Sequence, residues 1–383
     1  MHPRVLRAMS TPLIGHLDPE FLTIMDEIQQ MLRSLFRTQN AFTIAISGTG
    51  SAGMEAALVN VIEPGDSVVV GVNGVFGTRI ATIVERCGGQ AIRIQAPWGQ
   101  TIAPHAIEDA LQQHAPVKAV AVVHAETSTG VHQPLDEIGA LCRQHHALFI
   151  VDVVTSLGGL PVEVDRWNID IAYSGTQKCL SCPPGLAPLT VSERAMSAIR
   201  SCTSPCRSWY LDFSLIADYW LSAKRAYHHT APISMLYALR EALRIIEEEG
   251  LDARVHRHRL NSRALMAGLG ALGCTPFAQE DARLTTLHCV TLPSTVDDAD
   301  DAWTRATLLH EYGIEIGAGL GPSHGKVWRI GLMGESSTRA NVCALLGALD
   351  TLFFKQAWVN RSGLALEAAS QTYHDMSNER WEV

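Results

Sequence analysis

Residues 170–185 read DIAYSGTQKCLSCPPG, a mainly apolar run of strand length that leads into a loop of small residues. Lys178 lies in this loop, just beyond the predicted strand Ile169–Ser174. A long cationic side chain is unusual at such a position, because it follows a segment that is expected to be buried. Taken alone, the stretch also fits an ordinary solvated lysine.

Six further apolar runs of strand length lie on the two sides of this stretch, separated by segments of helical period. They are Thr43–Ser47, Ser67–Val72, Ala91–Gln95, Val117–His124, Ala147–Asp152 and Leu186–Val191. VKAVAVVH and ALFIVD are apolar almost throughout, which is typical of strands covered on both faces by helices. The pattern predicts an α/β fold with a large domain, in which helices flank a mostly parallel, seven-stranded sheet.

The remainder of the chain predicts a smaller C-terminal α+β domain. A long helix is expected from Pro232 with Thr230 as its cap, and a second helix from about Leu251 to Leu272. A strand, a helix, two short strands and another helix follow. We place the division so that residues 1–260 form the N-terminal segment and the large domain, and residues 261–383 the small domain.

Composition and charge exclude several classes of protein. The chain has 383 residues, enough for about two domains, and 47% of them are hydrophobic, which argues against disorder. A formal net charge of -9 argues against a nucleic-acid-binding protein. No apolar run approaches the roughly 18 residues that a membrane helix requires, and the first residues lack the apolar core of a signal peptide. We therefore expect a cytoplasmic protein that binds neither membrane nor nucleic acid.

Four of the nine cysteines have a spacing close to that of a zinc ribbon. Cys179 and Cys182 form a C-x2-C pair, and Cys202 and Cys206 form a C-x3-C pair farther along the chain. The ordinary alternative is four small hydrophobic residues beside a functional loop. Because the first pair runs directly into two prolines, and scattered cysteines suit a reducing compartment, we predict no metal site.

Residues that could bind a ligand also follow two other predicted strands. After the first strand comes SGTGSAGMEAAL, where backbone N–H groups at a helix start could hold a phosphate together with the hydroxyls of Thr49 and Ser51. An ordinary helix cap is the alternative there. Asp152 ends the fifth strand, and a carboxylate after an apolar run needs a partner unless it merely caps a turn.

These three features become more specific when they are combined. In α/β sheets, ligands bind at the carboxyl ends of the strands. A phosphate cradle, a buried carboxylate and Lys178 at successive strand ends are the three contacts that pyridoxal 5′-phosphate (PLP) requires. The sequence therefore predicts a PLP enzyme.

The chain resembles the class V aminotransferases, which are fold-type I PLP enzymes, and within them the alanine–glyoxylate and serine–pyruvate aminotransferases. The resemblance spans almost the whole chain and follows the order of that family. The matching segments are SGTGSAGMEAALVNVIEPGD, GVNGVFGTR, HAETSTGVHQPL, FIVDVVTSLGGLPVEVD, YSGTQKCLSCPPGLAPLTVS, YHHTAPISMLYALREAL and GPSHGKVWRIGLMG.

The resemblance implies a role for each matching residue. Lys178 is expected to carry the cofactor as a Schiff base and then to move a proton between the substrate Cα and the cofactor. Asp152 is expected to pair with the protonated pyridine nitrogen. The other expected cofactor contacts are Phe76 and Val154 on the two ring faces, Thr127 near the ring hydroxyl, and Thr49, Gly50, Ser51 and Gln177 at the phosphate.

Two further implications concern the substrate and a second subunit. Tyr227 and Thr230 of the YHHT segment are expected to reach the phosphate of the neighbouring subunit, which implies a homodimer with shared active sites. Arg329 of KVWRIG is expected to bind the substrate α-carboxylate, since a planar guanidinium suits a two-pronged contact.

The chain departs from the family pattern at three places. Phe76 stands where many relatives have tryptophan, which leaves less area for stacking. Ser51 stands where some relatives have histidine. Relatives begin with a Gly/Pro-rich stretch that lies over the substrate, and the given sequence starts at Met1-His2-Pro3, near where that stretch would end. We expect that either the start codon is called late or the lid of the pocket is shortened.

The leading hypothesis is a transaminase that moves the amino group of alanine or serine to glyoxylate, or to another short 2-oxo acid, by a ping-pong mechanism. A related aminotransferase with ureidoglycine or 2-aminoethylphosphonate as the donor is the nearest alternative. A cysteine-desulfurase-like lyase would require Cys179 or Cys182 to be mobile and reactive. A protein that keeps the fold without the chemistry is the remaining alternative.

Overall fold

The computed structural model describes residues 1–222 and 224–378. In chain order, the strands are β1 (Phe42–Ser47), β2 (Ser67–Val72), β3 (Gln90–Gln95), β4 (Ala119–Val123), β5 (Ala125–Glu126), β6 (Val131–His132), β7 (Leu148–Asp152), β8 (Ile171–Tyr173), β9 (Leu186–Val191), β10 (Thr275–Pro276), β11 (Leu287–Thr291), β12 (Gly317–Ala318) and β13 (Val327–Gly331).

Helices cover both faces of the larger sheet and pack on the smaller one. They are α1 (Pro3–Met9), α2 (Pro19–Phe36), α3 (Gly50–Val59), α4 (Val75–Arg86), α5 (Pro104–Gln113), α6 (Asp136–Gln144), α7 (Glu193–Arg200), α8 (Phe213–Trp220), α9 (Ile233–Glu249), α10 (Leu251–Ala271), α11 (Asp298–Tyr312), α12 (Arg339–Lys355) and α13 (Leu364–Asn378). None of the helices in the described part of the chain is long and apolar enough to cross a membrane.

The larger sheet has the strand order β1-β9-β8-β7-β4-β2-β3. Strands β8, β7, β4, β2 and β3 are parallel, whereas β9 runs antiparallel to both of its neighbours, β8 and β1. Since β9 alone is reversed, β1 points in the same direction as the parallel strands. The carboxyl ends of β1, β2, β4, β7 and β8 therefore meet at one edge of the sheet, where ligands bind in this kind of fold.

The predicted fold class is confirmed. All seven predicted strands of the large sheet are present, and the C-terminal segment forms a four-stranded antiparallel sheet with the order β10-β11-β13-β12. The expected cap at Thr230 is wrong, because α9 begins at Ile233 with Pro232 at its cap position and without a capping side chain. Proline disfavours helical geometry in the residue before it, so the helix starts too late for Thr230 to reach its first N–H groups.

Two hydrophobic cores support the proposed division near residue 260. The large core contains buried residues from Val5 to Ile246, and the second contains buried residues from Ala264 to Tyr373. Helix α10 connects the two, since its first turns lie beside the large domain and its second half contributes Leu265 and Leu269 to the second core. The boundary itself remains a proposal.

Arg254, near the start of α10, is expected to make a large contribution to stability. Its residue is 1% exposed, and its guanidinium donates to the carbonyls of Gly158 (2.9 Å) and Cys179 (2.8 Å) and to the Glu249 carboxylate (2.6 Å). Replacing Arg254 with methionine should lower the free energy of unfolding by about 3–5 kcal/mol, because buried acceptors lose their donor.

Urea denaturation of the Arg254→Met variant measures this loss of unfolding free energy, with the Arg361→Met variant as a control. Arg361 forms an ion pair with Glu367 in which both side chains are more than half exposed, so its loss should cost less than about 1 kcal/mol. Equal losses in the two variants would contradict the assignment of a structural role to Arg254.

Candidate active site

A cavity of about 270 Å³ lies at the edge of the large sheet where the parallel strands end. It is lined by nine of the residues that the sequence singled out, namely Thr49, Gly50, Ser51, Phe76, Thr127, Asp152, Val154, Gln177 and Lys178. These residues lie at or beyond the carboxyl ends of β1, β2, β4, β7 and β8, with Asp152 as the last residue of β7 and Thr127 after the short strand β5 that follows β4. They come together because those five strands end at the same edge.

The start of α3 has the geometry of an anion cradle. Thr49 occupies the cap position of α3, and its side chain makes no capping hydrogen bond. A Cβ atom on Gly50 would lie 3.3 Å from Val154 Cγ2 and 3.5 Å from the Cα of Gly175, so the helix start packs closely against the loops after β7 and β8. The first N–H groups of the helix and the Thr49 hydroxyl are thus suited to bind a phosphate.

Asp152 contributes a buried carboxyl group to the lining of the cavity. The residue is 4% exposed, and its Oδ1 accepts a hydrogen bond of 2.9 Å from the Val154 N–H. Burial raises the pKa of this carboxyl to about 7, and the charge of Glu126 contributes in the same direction. Within residues 1–222 and 224–378, Asp152 forms no ion pair, so a cationic ligand group in the cavity would stabilise its charged form.

Lys178 provides the amine of the cavity. Burial lowers the pKa of its ammonium group, and the positive charge of Arg329 contributes to the decrease. A lowered pKa increases the fraction of neutral amine, which is the form that acts as a nucleophile and as a base. The loop that carries Lys178 is anchored to α10, because the carbonyl of the adjacent Cys179 accepts a hydrogen bond from Arg254.

Phe76 and Val154 are both partly buried and both line the cavity. Phe76 lies in the first turn of α4, and the guanidinium carbon of Arg79 lies 5.0 Å from the centre of its ring. Arg79 also lines the cavity, although the sequence could not place it. Arg79 lies three residues after Phe76 on the same helix, and this spacing indicates that the two side chains share one helix face.

A second cavity, of about 330 Å³, shares Lys178 and Gln177 with the first. Its other lining residues include Gly331 at the end of β13, Met333 just beyond that strand, and Met1. Lys178 therefore lies between two spaces, one at the carboxyl ends of the large sheet and one beside the small domain. Arg329 lies on β13, two residues before Gly331.

Three predicted site residues do not line the first cavity. Arg329 is partly buried, and its Nε donates to the Ala318 carbonyl at 2.8 Å. Tyr227 is 62% exposed, and its hydroxyl lies 3.5 Å from that of Thr230 at the surface. Tyr227 and Thr230 are exposed, and neither lines the cavity of its own chain.

The cysteines do not form a metal site in the described part of the chain, which contains no cluster of three or more potential ligands. Cys179 is buried and its thiol lies 3.2 Å from the Thr155 carbonyl, while Cys202 and Cys206 contact carbonyls of α3 and its end. Burial raises the pKa of both Cys179 and Cys182 to about 12, so neither is a ready thiolate.

The site has the donor set that PLP needs. The helix start suits the phosphate, the buried Asp152 carboxyl suits a protonated ring nitrogen, and the amine of Lys178 suits the aldehyde. The family model for class V aminotransferases matches residues 7–344. The chain belongs to the class V aminotransferases, and it is a PLP-dependent transaminase of this family.

Individual relatives agree with this assignment. The chain is 42% identical to the (S)-ureidoglycine–glyoxylate transaminase of Bacillus subtilis, over 98% of this chain and 94% of the relative. It is 43% identical to the alanine–glyoxylate aminotransferase of Callithrix jacchus, over 91% of this chain and 84% of the relative.

Two solved structures have the same fold over nearly the whole chain. The crystal structure of ureidoglycine–glyoxylate aminotransferase from Bacillus subtilis has a TM-score of 0.94 at 44% identity, covering 98% of this chain and 95% of that one. The alanine–glyoxylate aminotransferase from Nostoc sp. has a TM-score of 0.89 at 46% identity and covers 92% of each chain.

Proposed function

We propose that this transaminase moves the amino group of a small L-amino acid, alanine or serine, to glyoxylate or another short 2-oxo acid by a ping-pong mechanism. The observation that carries the proposal is the single cavity in which Lys178, Asp152 and the start of α3 meet. The names of both groups of relatives include glyoxylate, which supports it as the acceptor.

The cavity residues are proposed to hold the cofactor in the positions expected from the sequence. Thr49, Gly50, Ser51 and Gln177 would bind the phosphate, Phe76 and Val154 would pack on the ring faces, and Thr127 would bond near the ring hydroxyl. Bound PLP supplies an electron-withdrawing ring next to the substrate Cα. Asp152 would keep the ring nitrogen protonated through an ion pair.

Lys178 is proposed to perform the proton transfers. Burial lowers the pKa of Nζ, which favours the neutral amine that accepts the proton from the substrate Cα. The same Nζ then returns a proton on the cofactor side of the site. Its position between the two cavities allows one amine to reach both the cofactor and the substrate.

Arg329 is proposed to bind the α-carboxylate of both the donor and the acceptor. Its Nε donates a hydrogen bond to the Ala318 carbonyl, which orients the guanidinium. The guanidinium also packs so closely on Gly317 that a Cβ there would lie only 3.2 Å from Nη2. Arg329→Lys should raise KM for both substrates by about tenfold to a hundredfold, because a charge-assisted pair of hydrogen bonds becomes one.

Steady-state kinetics with each substrate varied in turn measures this effect, with the PLP dissociation constant as the control. Because both substrates carry the same carboxylate, a change in only one KM would contradict a shared clamp. A weakened affinity for PLP would instead place Arg329 at the cofactor.

Ureidoglycine is the second candidate donor. The match to the Bacillus subtilis ureidoglycine–glyoxylate transaminase covers 98% of this chain, against 91% for the Callithrix jacchus alanine–glyoxylate aminotransferase. The two hypotheses share the acceptor and differ only in the donor. The buried, protonated thiols of Cys179 and Cys182 do not favour a desulfurase.

A homodimer with shared active sites is also proposed. Tyr227 and Thr230 are exposed, and the aromatic side chains of Trp209 and Tyr210 nearby are 63% and 42% exposed. Such a cluster of exposed aromatic groups is typical of a surface that a partner covers.

Cytoplasmic location remains a prediction, and it is supported by nine cysteines that are all free of disulfide bonds.

The decisive experiment is an absorbance spectrum of the purified protein with PLP, recorded before and after adding L-alanine, L-serine or (S)-ureidoglycine. Conversion of the bound cofactor to its amine form by alanine or serine, and its return with glyoxylate, would support the leading hypothesis. Conversion by ureidoglycine alone would select the second donor. No conversion by any of the three would refute both.

A further inference from the structure

Glu126 is a buried carboxylate to which the proposed function gives no role. Glu126 is the last residue of β5, in the segment HAETSTG, and it is 0% exposed. Burial raises its pKa, while hydrogen-bond donors on both oxygens act in the opposite direction. A buried charged group requires such compensation, so its contacts indicate what it stabilises.

The carboxylate of Glu126 caps helix α4. Its Oε2 accepts hydrogen bonds from the Phe76 N–H at 3.0 Å and from the Gly77 N–H at 3.3 Å. These are among the N–H groups at the start of α4 that have no partner within the helix. The residue at the cap position is Gly74, which has no side chain to supply this bond.

Ser128 completes the cap from the same segment. Glu126 Oε1 accepts from the Ser128 N–H at 3.1 Å and from its hydroxyl at 2.5 Å, while the same hydroxyl accepts from the Val75 N–H at 2.9 Å. All four hydrogen bonds to the carboxylate come from donors, which favours its ionised form, whereas the nearby Asp152 carboxyl group acts against it. A Cβ on Gly74 would overlap both the Glu126 carboxyl group and the Ser128 hydroxyl, so glycine is required there by contact.

The cap joins two proposed cofactor contacts that lie on different elements. Phe76, whose N–H bonds to Glu126, lines the cavity from α4, while Thr127, between Glu126 and Ser128, lines it from the other segment. The side chains of Glu126 and Ser128 face α4, and that of Thr127 borders the cavity. One carboxylate thus fixes the distance between the ring-stacking group and the group near the ring hydroxyl.

We propose that Glu126 is a positioning residue that aligns Phe76 and Thr127 on the cofactor ring. The proposal rests on the proposed PLP site. It predicts that loss of the carboxylate weakens and reorients bound PLP beyond any effect on the stability of the fold. Glutamine keeps one acceptor for the α4 N–H groups but turns an N–H group toward Ser128, so the cap becomes incomplete.

The test compares Glu126→Gln with Asp170→Asn in the PLP-loaded protein. Asp170 is also a buried carboxylate, 3% exposed, and it accepts from the Phe149 N–H at 2.9 Å and from Arg194, but it does not line the cavity. The measurements are the PLP dissociation constant, the circular dichroism of the bound cofactor in its visible band, and the midpoint of urea unfolding.

Glu126→Gln should weaken PLP binding about tenfold and reduce the circular dichroism of the cofactor, because an unpaired donor at the cap displaces Phe76. Asp170→Asn should lower the unfolding midpoint and leave both cofactor measurements within about twofold of wild type. If Glu126→Gln does not fold, Ser128→Ala tests the same cap and should weaken PLP about threefold.

An unchanged dissociation constant and unchanged dichroism in the folded Glu126→Gln protein, or in Ser128→Ala if that variant must be used, would overturn the proposal. So would an equal loss of PLP affinity in Asp170→Asn, because the effect would then follow general stability. Failure of the wild-type protein to bind PLP would refute the proposed function itself, and it is recognised before any variant is compared.

Discussion

Lys178→Ala is expected to abolish net amino transfer while the protein keeps its fold and a weakened affinity for PLP. Lys178 is the amine that borders both cavities, and no other lysine lines either of them in the described residues. Loss of a general acid–base group alone should reduce kcat at least about 10³-fold. The phosphate cradle at α3 does not involve the lysine side chain, so the cofactor should still bind.

Two readouts separate the chemical role of Lys178 from a structural one. Borohydride treatment should attach a phosphopyridoxyl group to Lys178 in the wild-type protein, and mass spectrometry of peptides locates it. Lys178→Arg should be as inactive as Lys178→Ala, since arginine does not release its proton near neutral pH. Lys355→Ala, at an exposed position, serves as the matched control. Labelling of another lysine, or a tenth of the activity in Lys178→Ala, would contradict the assignment.

Asp152→Asn is expected to lower kcat by about a hundredfold to several thousandfold, since removing one partner of a buried ion pair costs roughly 3–5 kcal/mol. Asparagine has nearly the same shape but cannot hold the ring nitrogen in its protonated form. Stopped-flow measurement of the half-reaction with the amino donor reports this step directly. An undiminished half-reaction rate would exclude the proposed ion pair.

The same substitution should have the opposite effect on the protein without PLP. The pKa of Asp152 is about 7 in the folded protein against an ordinary value of 3.8, so between these pH values the folded state binds the additional proton. Stability is therefore highest below pH 3.8 for this group, and it is lost as pH rises toward 7. Asparagine avoids a penalty on the order of 4 kcal/mol above pH 7.

Urea unfolding of the cofactor-free proteins at pH 5 and pH 8 tests this sign. Asp152→Asn should be more stable than wild type at pH 8, and the difference should shrink at pH 5. Addition of PLP should remove the advantage, because only the aspartate gains an ion pair. A variant that is less stable than wild type at pH 8 without PLP would show that burial does not destabilise the carboxylate.

The sequence predicted the residues that follow strands better than those that act through a tertiary contact. Lys178, Asp152 and Thr49 were recognisable because each follows an apolar run, and parallel strands bring their carboxyl ends together. Glu126 lies in the recognised segment HAETSTG, but its role depends on the N–H groups of α4, which are 50 residues away along the chain. No local sequence pattern shows that two segments so far apart along the chain are in contact.

Other differences also have physical reasons. Helix α2 was not predicted, although Asp18, Pro19 and Glu20 form an ordinary start signal and Asp18 caps the helix in the structure. Tyr227 and Thr230 do not line the cavity of their own chain, and their expected contact with the phosphate of a neighbouring subunit stays a prediction. The apolar neighbours of Arg329 indicate a strand, but they do not show that the Ala318 carbonyl orients its guanidinium.

Helix α10 has a mechanical consequence for the reaction. Its first turns carry Arg254, which binds the carbonyl next to Lys178, and its second half belongs to the core that supports β13 and Arg329. A rotation of the small domain must therefore either bend this continuous helix or shift the peptide of Cys179. If Arg329 binds the substrate carboxylate and Lys178 transfers the proton, as proposed, α10 couples the positions of these two side chains.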